Sequence, residues 1–294
     1  MRLSDAIRSV FTEELMDAVN EFVRTSPLNA VPVDSVLKTG LDGARLIDDC
    51  VFAFGDASDP LFEVQKQPQA VGPQFMLPTE WLPDALSVIS FFAPFSEVVK
   101  ASNREIDGFP SGAWLHGRID GQRVVFEACT FIVDWLEQRG FKAVIPSLDP
   151  RFKAVDDIRD EDGQIILEKS FRSNWSERHV AYVCGLGTFS LSRGIITEKG
   201  ISGRVGTVVT NAPLAFTKRP YEGLYDYCNR CGACAKHCPV NAISVEGGKQ
   251  QIPCWVFLEQ TKLTCAAPYF GCGKCQAGVP CESGIPKRRS AASE

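Results

Sequence analysis

Four cysteines fall within eleven residues and are closed by a proline: Cys228-Asn229-Arg230-Cys231-Gly232-Ala233-Cys234-Ala235-Lys236-His237-Cys238-Pro239. Nothing else in the chain constrains its fold as much. The spacing C-x2-C-x2-C-x3-C-P wraps three thiolates around one cubane iron–sulfur cluster and sends the fourth to a second cluster. It therefore demands more cysteines downstream, and Cys254, Cys265, Cys272, Cys275 and Cys281 supply them. Zinc ribbons use two CxxC pairs set further apart, and disulfide frameworks belong mainly to short secreted domains. A chain built on this run is expected to move electrons one at a time.

Two cubanes need eight ligands, and nine cysteines lie between Cys228 and Cys281. The expected sets are Cys228, Cys231, Cys234 and Cys281 on one cluster, and Cys238, Cys254, Cys272 and Cys275 on the other. Cys265 is the spare and competes with Cys254 for its place. Gly271-Cys272-Gly273-Lys274-Cys275 gives a CxxC pair, but five residues separate it from Cys281, so the second half is less regular than the first. Cys50, Cys129 and Cys184 stand apart and read as small buried core residues.

The chain has 294 residues and a net charge of −5. An acidic balance argues against a dedicated nucleic-acid binder, whose domains usually present a basic face. Lys287-Arg288-Arg289 reads as a solvated tail. No stretch approaches the ~20 apolar residues of a membrane span. The N-terminus shows no signal-peptide pattern. With thiolates kept free for iron, the expected compartment is the cytoplasm.

Along the chain, Leu3 to Val23 carries apolar residues at helical spacing. Ala85 to Pro94 reads as a buried strand, Gln122 to Arg139 as a helix capped by Gly140, and Lys142 to Pro146 as a strand, which together suggest an α/β unit. The charged segment Asp149 to Asp162 reads as a loop. Trp175 to Cys184 reads as a helix, with Ser173, Asn174 or Ser176 as N-cap, ending in Gly185-Leu186-Gly187. Val205 to Thr210 is strand-like. The cysteine module follows Pro220, so the expected domains are 1–220 and 221–294.

A reductive step needs protons as well as electrons. Glu177, His179 and Tyr182, on the helix before the glycine turn, are the candidate catalytic groups, with His179 expected to titrate near neutrality. The bland alternative makes Glu177 and Arg178 a surface pair and Tyr182 core. Gly185, Leu186 and Gly187, with Arg193 and Arg204, are the candidate cofactor contacts, through close backbone approach and guanidinium donors. The bland alternative there is a tight turn and solvated arginines. His237 is placed to tune a cluster through a hydrogen bond. His116 shows no partner pattern.

The glycine turn and the cysteine module together resemble the epoxyqueuosine reductases and their relatives, the reductive dehalogenases. The similarity rests on Glu177-Arg178, Gly185-Leu186-Gly187, Val205 to Leu214 and Gly271-Cys272-Gly273-Lys274-Cys275-Gln276. It implies an α+β chain, in which a nitroreductase-like α/β cofactor domain precedes a bacterial two-cluster ferredoxin-like domain with two [4Fe-4S] clusters. It also implies a base-off cobalamin beside the nearer cluster, a ferredoxin or flavodoxin donor, and a small-molecule or nucleoside substrate. Three departures stand against a tRNA substrate. The aspartate that the family carries six residues before Glu-Arg is Phe171 here. Thr188 to Arg193 replaces the usual Gly-Lys-Asn segment. Five residues separate the CxxC pair from Cys281, where the family has three. The chain's end at Glu294 also leaves no room for the helical-repeat tail of many tRNA-acting members.

The leading expectation is an iron–sulfur oxidoreductase. The alternative is an electron-transfer or redox-sensing protein without its own substrate, for which no small-molecule cavity would border the clusters. A flavin or haem in place of cobalamin is a third possibility.

Overall fold

The computed structural model describes residues 5–105, 108–155, 158–159, 165–167 and 171–287. Arg288 and Arg289, and part of the segment read as a charged loop, lie outside the described residues. Helix α1 (Asp5–Thr25) leads to β1 (Val51–Asp56), β2 (Ser87–Pro94) and the short α2 (Glu97–Ser102). Helix α3 (Gly112–Glu137) and β3 (Ala143–Val144) follow, then α4 (Glu177–Cys184). A hairpin of β4 (Thr188–Phe189) and β5 (Ile195–Ile196) precedes the long β6 (Gly203–Thr210). The cysteine module adds α5 (Ala233–Lys236), the hairpin β7 (Ile243–Ser244) with β8 (Gly248–Lys249), and α6 (Gln251–Thr264).

The central sheet has the order β1-β2-β6-β3, each neighbour antiparallel. Strands β2 and β3 therefore run the same way, and β6 lies between them against both. The strand–helix–strand reading holds with one strand inserted, a split β-α-β arrangement. All eight residues of β2 are buried, which explains its near-continuous apolar run. Ile89, Phe91 and Ala93 face a core shared with Leu15 and Val19 of α1 and Val124 and Ala128 of α3. Val88 and Phe92 face the opposite core, with Val180, Ala181 and Val183 of α4. The sheet is thus covered on both sides, as its lack of a polar face requires.

Helix α3 begins at Gly112, ten residues before its apolar periodicity becomes clear. Ser111 caps it, its hydroxyl accepting from Trp114 N at 3.1 Å. Gly117 and Gly121, helix-weakening by propensity, sit where the helix presses on other elements. A Cβ on Gly117 would meet Val99 and Phe95. Helix α4 starts at Glu177. Its cap is Ser176, whose hydroxyl makes no capping bond and pairs with His179 Nδ1 at 2.7 Å.

The division expected after residue 220 is not a gap in packing. Ile201 N donates to Cys281 O, Asn103 Nδ2 to Cys272 O, and Ser202 Oγ to Gln276 O. Phe189 N donates to Leu224 O. The cysteine module is clamped to β5–β6, to the end of α2 and to the start of α3. No described helix is long and apolar enough to cross a membrane.

Candidate functional site

Two groups of four cysteines emerge from the folded chain. Cys228, Cys231, Cys234 and Cys281 surround one small apolar hollow with Leu191, Ile196 and Val279. Cys238, Cys254, Cys272 and Cys275 line the wall of a much larger cavity of about 500 Å³. The electrostatic neighbours follow the same grouping at Cys281, which feels Cys234, Cys228 and Cys231, and at Cys272, which feels Cys275, Cys254 and Cys238; Cys234 also feels Cys275, so the two sets lie close to one another. Cys265 lines neither space. Among the described residues no three His, Cys, Asp or Glu side chains converge on a point that would hold a single metal ion; the sulfurs ring hollows instead.

Local backbone geometry creates this grouping. Gly232 adopts φ +77° before α5, and Arg230 φ +50°, so the chain turns sharply twice within the first motif. Gly273 takes φ +71° between Cys272 and Cys275. Amide groups point at sulfur: Ala242 N donates to Cys238 Sγ at 3.1 Å, and the Lys274 amide reaches Cys272. Such N–H···S bonds favour thiolate ligands and tune cluster potential. Without metal, burial pushes the thiols of Cys234, Cys272 and Cys281 up to about 12. His237 Nδ1 donates to Ala277 O at 3.1 Å, which joins the first motif to the loop that carries Cys281.

The large cavity lies where β2 ends and β6 begins. Phe95, Gly203 and Arg204 form its floor, Trp114 and Arg118 of α3 one side, Arg178 of α4 another, and the cysteine module its roof. A second cavity of about 480 Å³ shares Phe171, Arg172, Ser173, Arg178 and Gln251 with it. Phe171 stands at this junction with φ +52°, an uncommon conformation for a bulky side chain. A phenyl ring at this mouth has no proton to give.

The three candidate acid–base groups do not come together. Glu177 turns inward toward the sheet, beside Thr207 and Ser147; burial pushes its carboxyl up to about 7, against the pull of those hydroxyls. Its Oε2 is buried with no hydrogen-bond partner, so it is no surface pair with Arg178. His179 lines the second cavity, packed on Phe189. Burial first and Arg178 second push its imidazole down to about 4, so it is neutral at physiological pH rather than titrating near neutrality. Tyr182 lines a separate surface cleft, donates to Glu222 O at 3.0 Å and stacks on Tyr221.

The glycine turn takes its bland form. Gly185 is the left-handed C-cap of α4 at φ +97°. Gly187 passes so close to Ile196 O that any Cβ would clash, and Leu186 is buried in the second core. None of the three lines the large cavity. Arg204 does, while Arg193 lines the second cavity and its carbonyl accepts from Arg178.

Sequence reasoning passed over Arg118, Trp114 and Lys249, whose place in the cavity wall depends on the tertiary fold. It also missed the partners of His116. Its Nδ1 meets Asp120 Oδ2 at 2.6 Å and its Nε2 meets Ser35 Oγ at 2.8 Å, while Tyr269 OH donates to the same Asp120 oxygen. The i,i+4 spacing of His116 and Asp120 was the available signal. The Ser–His–Asp order is that of a hydrolytic triad, but all three residues are buried and none lines the large cavity. The network ties the 30–46 loop, α3 and the cysteine module together. Cys50, Cys129 and Cys184 are core residues, 5%, 1% and 1% exposed.

Residues 224–244 match the family model of the 4Fe-4S binding domain. The trichloroethene reductive dehalogenase of Dehalococcoides mccartyi is 41% identical over 73 residues, which is 24% of this chain and 13% of the relative. The epoxyqueuosine reductase of Staphylococcus aureus is 30% identical over 119 residues, 37% of this chain and 30% of the relative. The chain thus matches less than a third of either curated relative. Solved structures match far more of it. An epoxyqueuosine reductase from Streptococcus thermophilus superposes with TM-score 0.52 at 14% identity, covering 95% of this chain and 68% of that one. A catabolic reductive dehalogenase superposes with TM-score 0.51 at 14% identity, covering 94% and 37%. The chain thus carries a 4Fe-4S binding domain within a mixed helix-and-sheet fold similar to that of epoxyqueuosine reductases and a reductive dehalogenase.

Proposed function

We propose that this protein is an iron–sulfur oxidoreductase whose two cysteine sets each hold a [4Fe-4S] cluster. Cys228, Cys231, Cys234 and Cys281 hold the outer one; Cys238, Cys254, Cys272 and Cys275 hold the inner one. Residues 221–294 act as the electron feed and line one side of the chamber, and residues 1–220, read as a nitroreductase-like domain, supply the facing wall with its arginines. One observation carries the reading: the second cysteine set forms a wall of a cavity of about 500 Å³ that the arginines and aromatic side chains of the preceding domain close from the other side. A bare electron carrier or redox sensor needs no such chamber beside its inner cluster, so the cavity favours an enzyme.

Cobalamin is the acceptor that the resemblance of the glycine turn and cysteine module implies, and the residues present suit it. Trp114, Phe95 and Trp255 offer apolar faces, and the arginines and Gln251 offer donors to amide and phosphate groups. One cavity of about 500 Å³ is small for so large a cofactor, and the adjoining cavity supplies further room. When bound, a corrinoid supplies a strongly reducing metal centre. The protein's own residues would hold and orient it, and the aromatic walls would exclude water. Proton delivery is not assigned to Phe171, Tyr182 or His179: the first carries no proton, the second faces another cleft, and the third is already deprotonated at neutral pH. The substrate is then a small molecule or a nucleoside, with a ferredoxin or flavodoxin as donor. A tRNA-borne nucleoside stays within this class.

The test is anaerobic purification, followed by iron, sulfide and cobalt analysis and an absorption spectrum. About eight irons per chain and retained corrinoid are expected. About four irons would remove the second cluster, and a protein that never retains or responds to corrinoid would remove the cobalamin.

A further inference from the structure

The large cavity carries a charge that the rest of the chain does not. The protein is acidic overall, at −5, yet five cationic side chains line this cavity: Arg118, Arg172, Arg178, Arg204 and Lys249. No aspartate or glutamate joins them among the described residues. Among the described residues, three of the guanidiniums hydrogen-bond backbone carbonyls and form no ion pair, and Arg118 also stacks over the Phe270 ring. Arg204 Nη2 donates to Arg118 O at 2.5 Å, Arg118 Nη1 to Phe270 O at 3.0 Å, and Arg178 Nη1 to Arg193 O at 2.9 Å. Arg204 Nε is buried with no partner at all. Arginines drawn into a cavity wall are ordinarily paired with carboxylates; Arg204 is instead repelled by Arg118 and Arg178. Burial pushes Arg204 down to about 9, and Arg118 and Arg178 push it further in the same direction.

We propose that Arg118, Arg178 and Arg204 form a receptor for an anionic group, a phosphate or carboxylate, on the molecule that fills this cavity. The guanidinium fork matches such oxyanions in two-point hydrogen bonding, and the unused Nε of Arg204 is a donor awaiting an acceptor. The proposal deepens the reading of the cavity as a ligand chamber and rests on it. The anionic group has two sources, the phosphodiester of a nucleotide-bearing cofactor and the substrate itself. The rival account has the three arginines doing no more than offsetting the negative charge of a cluster on Cys238, Cys254, Cys272 and Cys275.

The test uses the cluster-loaded protein, with iron content and absorption spectrum checked first, so a failure of the cluster reading is seen separately. Binding of inorganic phosphate and pyrophosphate is measured by calorimetry. Saturable binding is expected, weakened at least about tenfold in Arg204→Gln and in Arg178→Gln, with iron content unchanged. Arg178→Gln guards against loss of fold, since among the described residues its hydrogen bond is to an exposed turn. A second arm compares hydroxocobalamin with a cobinamide that lacks the nucleotide phosphate. If phosphate competes with the first and not the second, the anionic group belongs to the cofactor. If phosphate binds beside either without competition, it belongs to the substrate. Absence of phosphate binding to the loaded protein, or binding indifferent to both substitutions, overturns the proposal in favour of charge compensation.

Discussion

Gly273, between Cys272 and Cys275, lies directly against the indole of Trp114, so that any side-chain carbon there would fall inside the ring. This contact joins the inner cysteine set to the first turn of α3 and fixes one corner of the large cavity. Gly273 also holds φ +71°, a conformation costly for other residues. Gly273→Ala is therefore expected to destabilise the protein by roughly 3 kcal/mol, through backbone strain and overpacking together. It should also release iron from the inner set first. Thermal unfolding and iron content read both effects. An unchanged melting temperature with full iron would show that the two residues are not in contact.

Cys254 and Cys265 bracket most of α6, and only Cys254 reaches the wall of the large cavity. Cys254→Ser is expected to lower iron content toward half, while Cys265→Ser keeps it whole. Equal losses in both variants would mean that the eighth ligand is shared or exchanged. A loss in Cys265→Ser alone would reverse the assignment.

The cysteine module was legible because its chemistry is local: the ligand spacing is written in consecutive residues, and Gly232 and Gly273 mark the turns it requires. The grouping of the sulfurs follows from the fold: Cys281 lies by the hollow of Cys228, Cys231 and Cys234, and Cys238 by the cavity wall of Cys254, Cys272 and Cys275. The positive chamber was not legible. Arg118, Arg178 and Arg204 lie on three different elements; Arg204 alone stands out in the sequence as a candidate cofactor contact, and nothing there joins it to the other two. Only the crossing of β6, α3 and α4 makes them neighbours. Gly185 to Gly187 misled in the opposite sense: the run looked like a cofactor approach, yet Gly185 serves a helix cap and Gly187 a close strand passage. The early turns of α3 were hidden because Gly112, Gly117 and Gly121 resemble helix breakers, while the packing of Val99, Phe95 and Ile47 against them is tertiary.

Arg104 and Glu282 fasten the loop after Cys281 to the end of α2. Arg104 Nε and Nη2 bind the carboxylate at 2.6–3.1 Å, and Gly278 N donates to it at 2.7 Å. Burial alone would raise the Glu282 carboxyl; Arg104 and the Gly278 amide outweigh it and hold it below the usual range. A carboxyl lowered by folding stabilises the native state above its unfolded pKa, about 4.3. That contribution is lost as pH falls through the lower folded value. Arg104→Gln should therefore lose stability at pH 7 by about 1–3 kcal/mol and show a shallower decline on acidification below pH 4.5. Equal acid slopes in the variant and the parent would mean that this carboxylate is not held by Arg104.

Glu177 carries the opposite sign. Folding raises its carboxyl to about 7 through burial, so the folded state prefers the protonated form. Stability is then greatest below the unfolded pKa of about 4.3 and declines as pH rises to about 7, above which the cost is constant. Replacing the charge removes that cost. Glu177→Gln is expected to match the parent near pH 4 and to exceed it by roughly 2 kcal/mol at pH 8, with most of the difference developing between pH 5 and 7. The unpartnered Oε2 supports the same direction, because an amide is cheaper to bury than an ionised oxygen. If Glu177 instead acts as a proton carrier for the reduced substrate, the variant will turn over more slowly even where it is more stable. Its position outside the large cavity leads us to expect stabilisation with electron uptake by the clusters unaltered. A destabilised Glu177→Gln at pH 8 would show that the charged form is the one the fold selects.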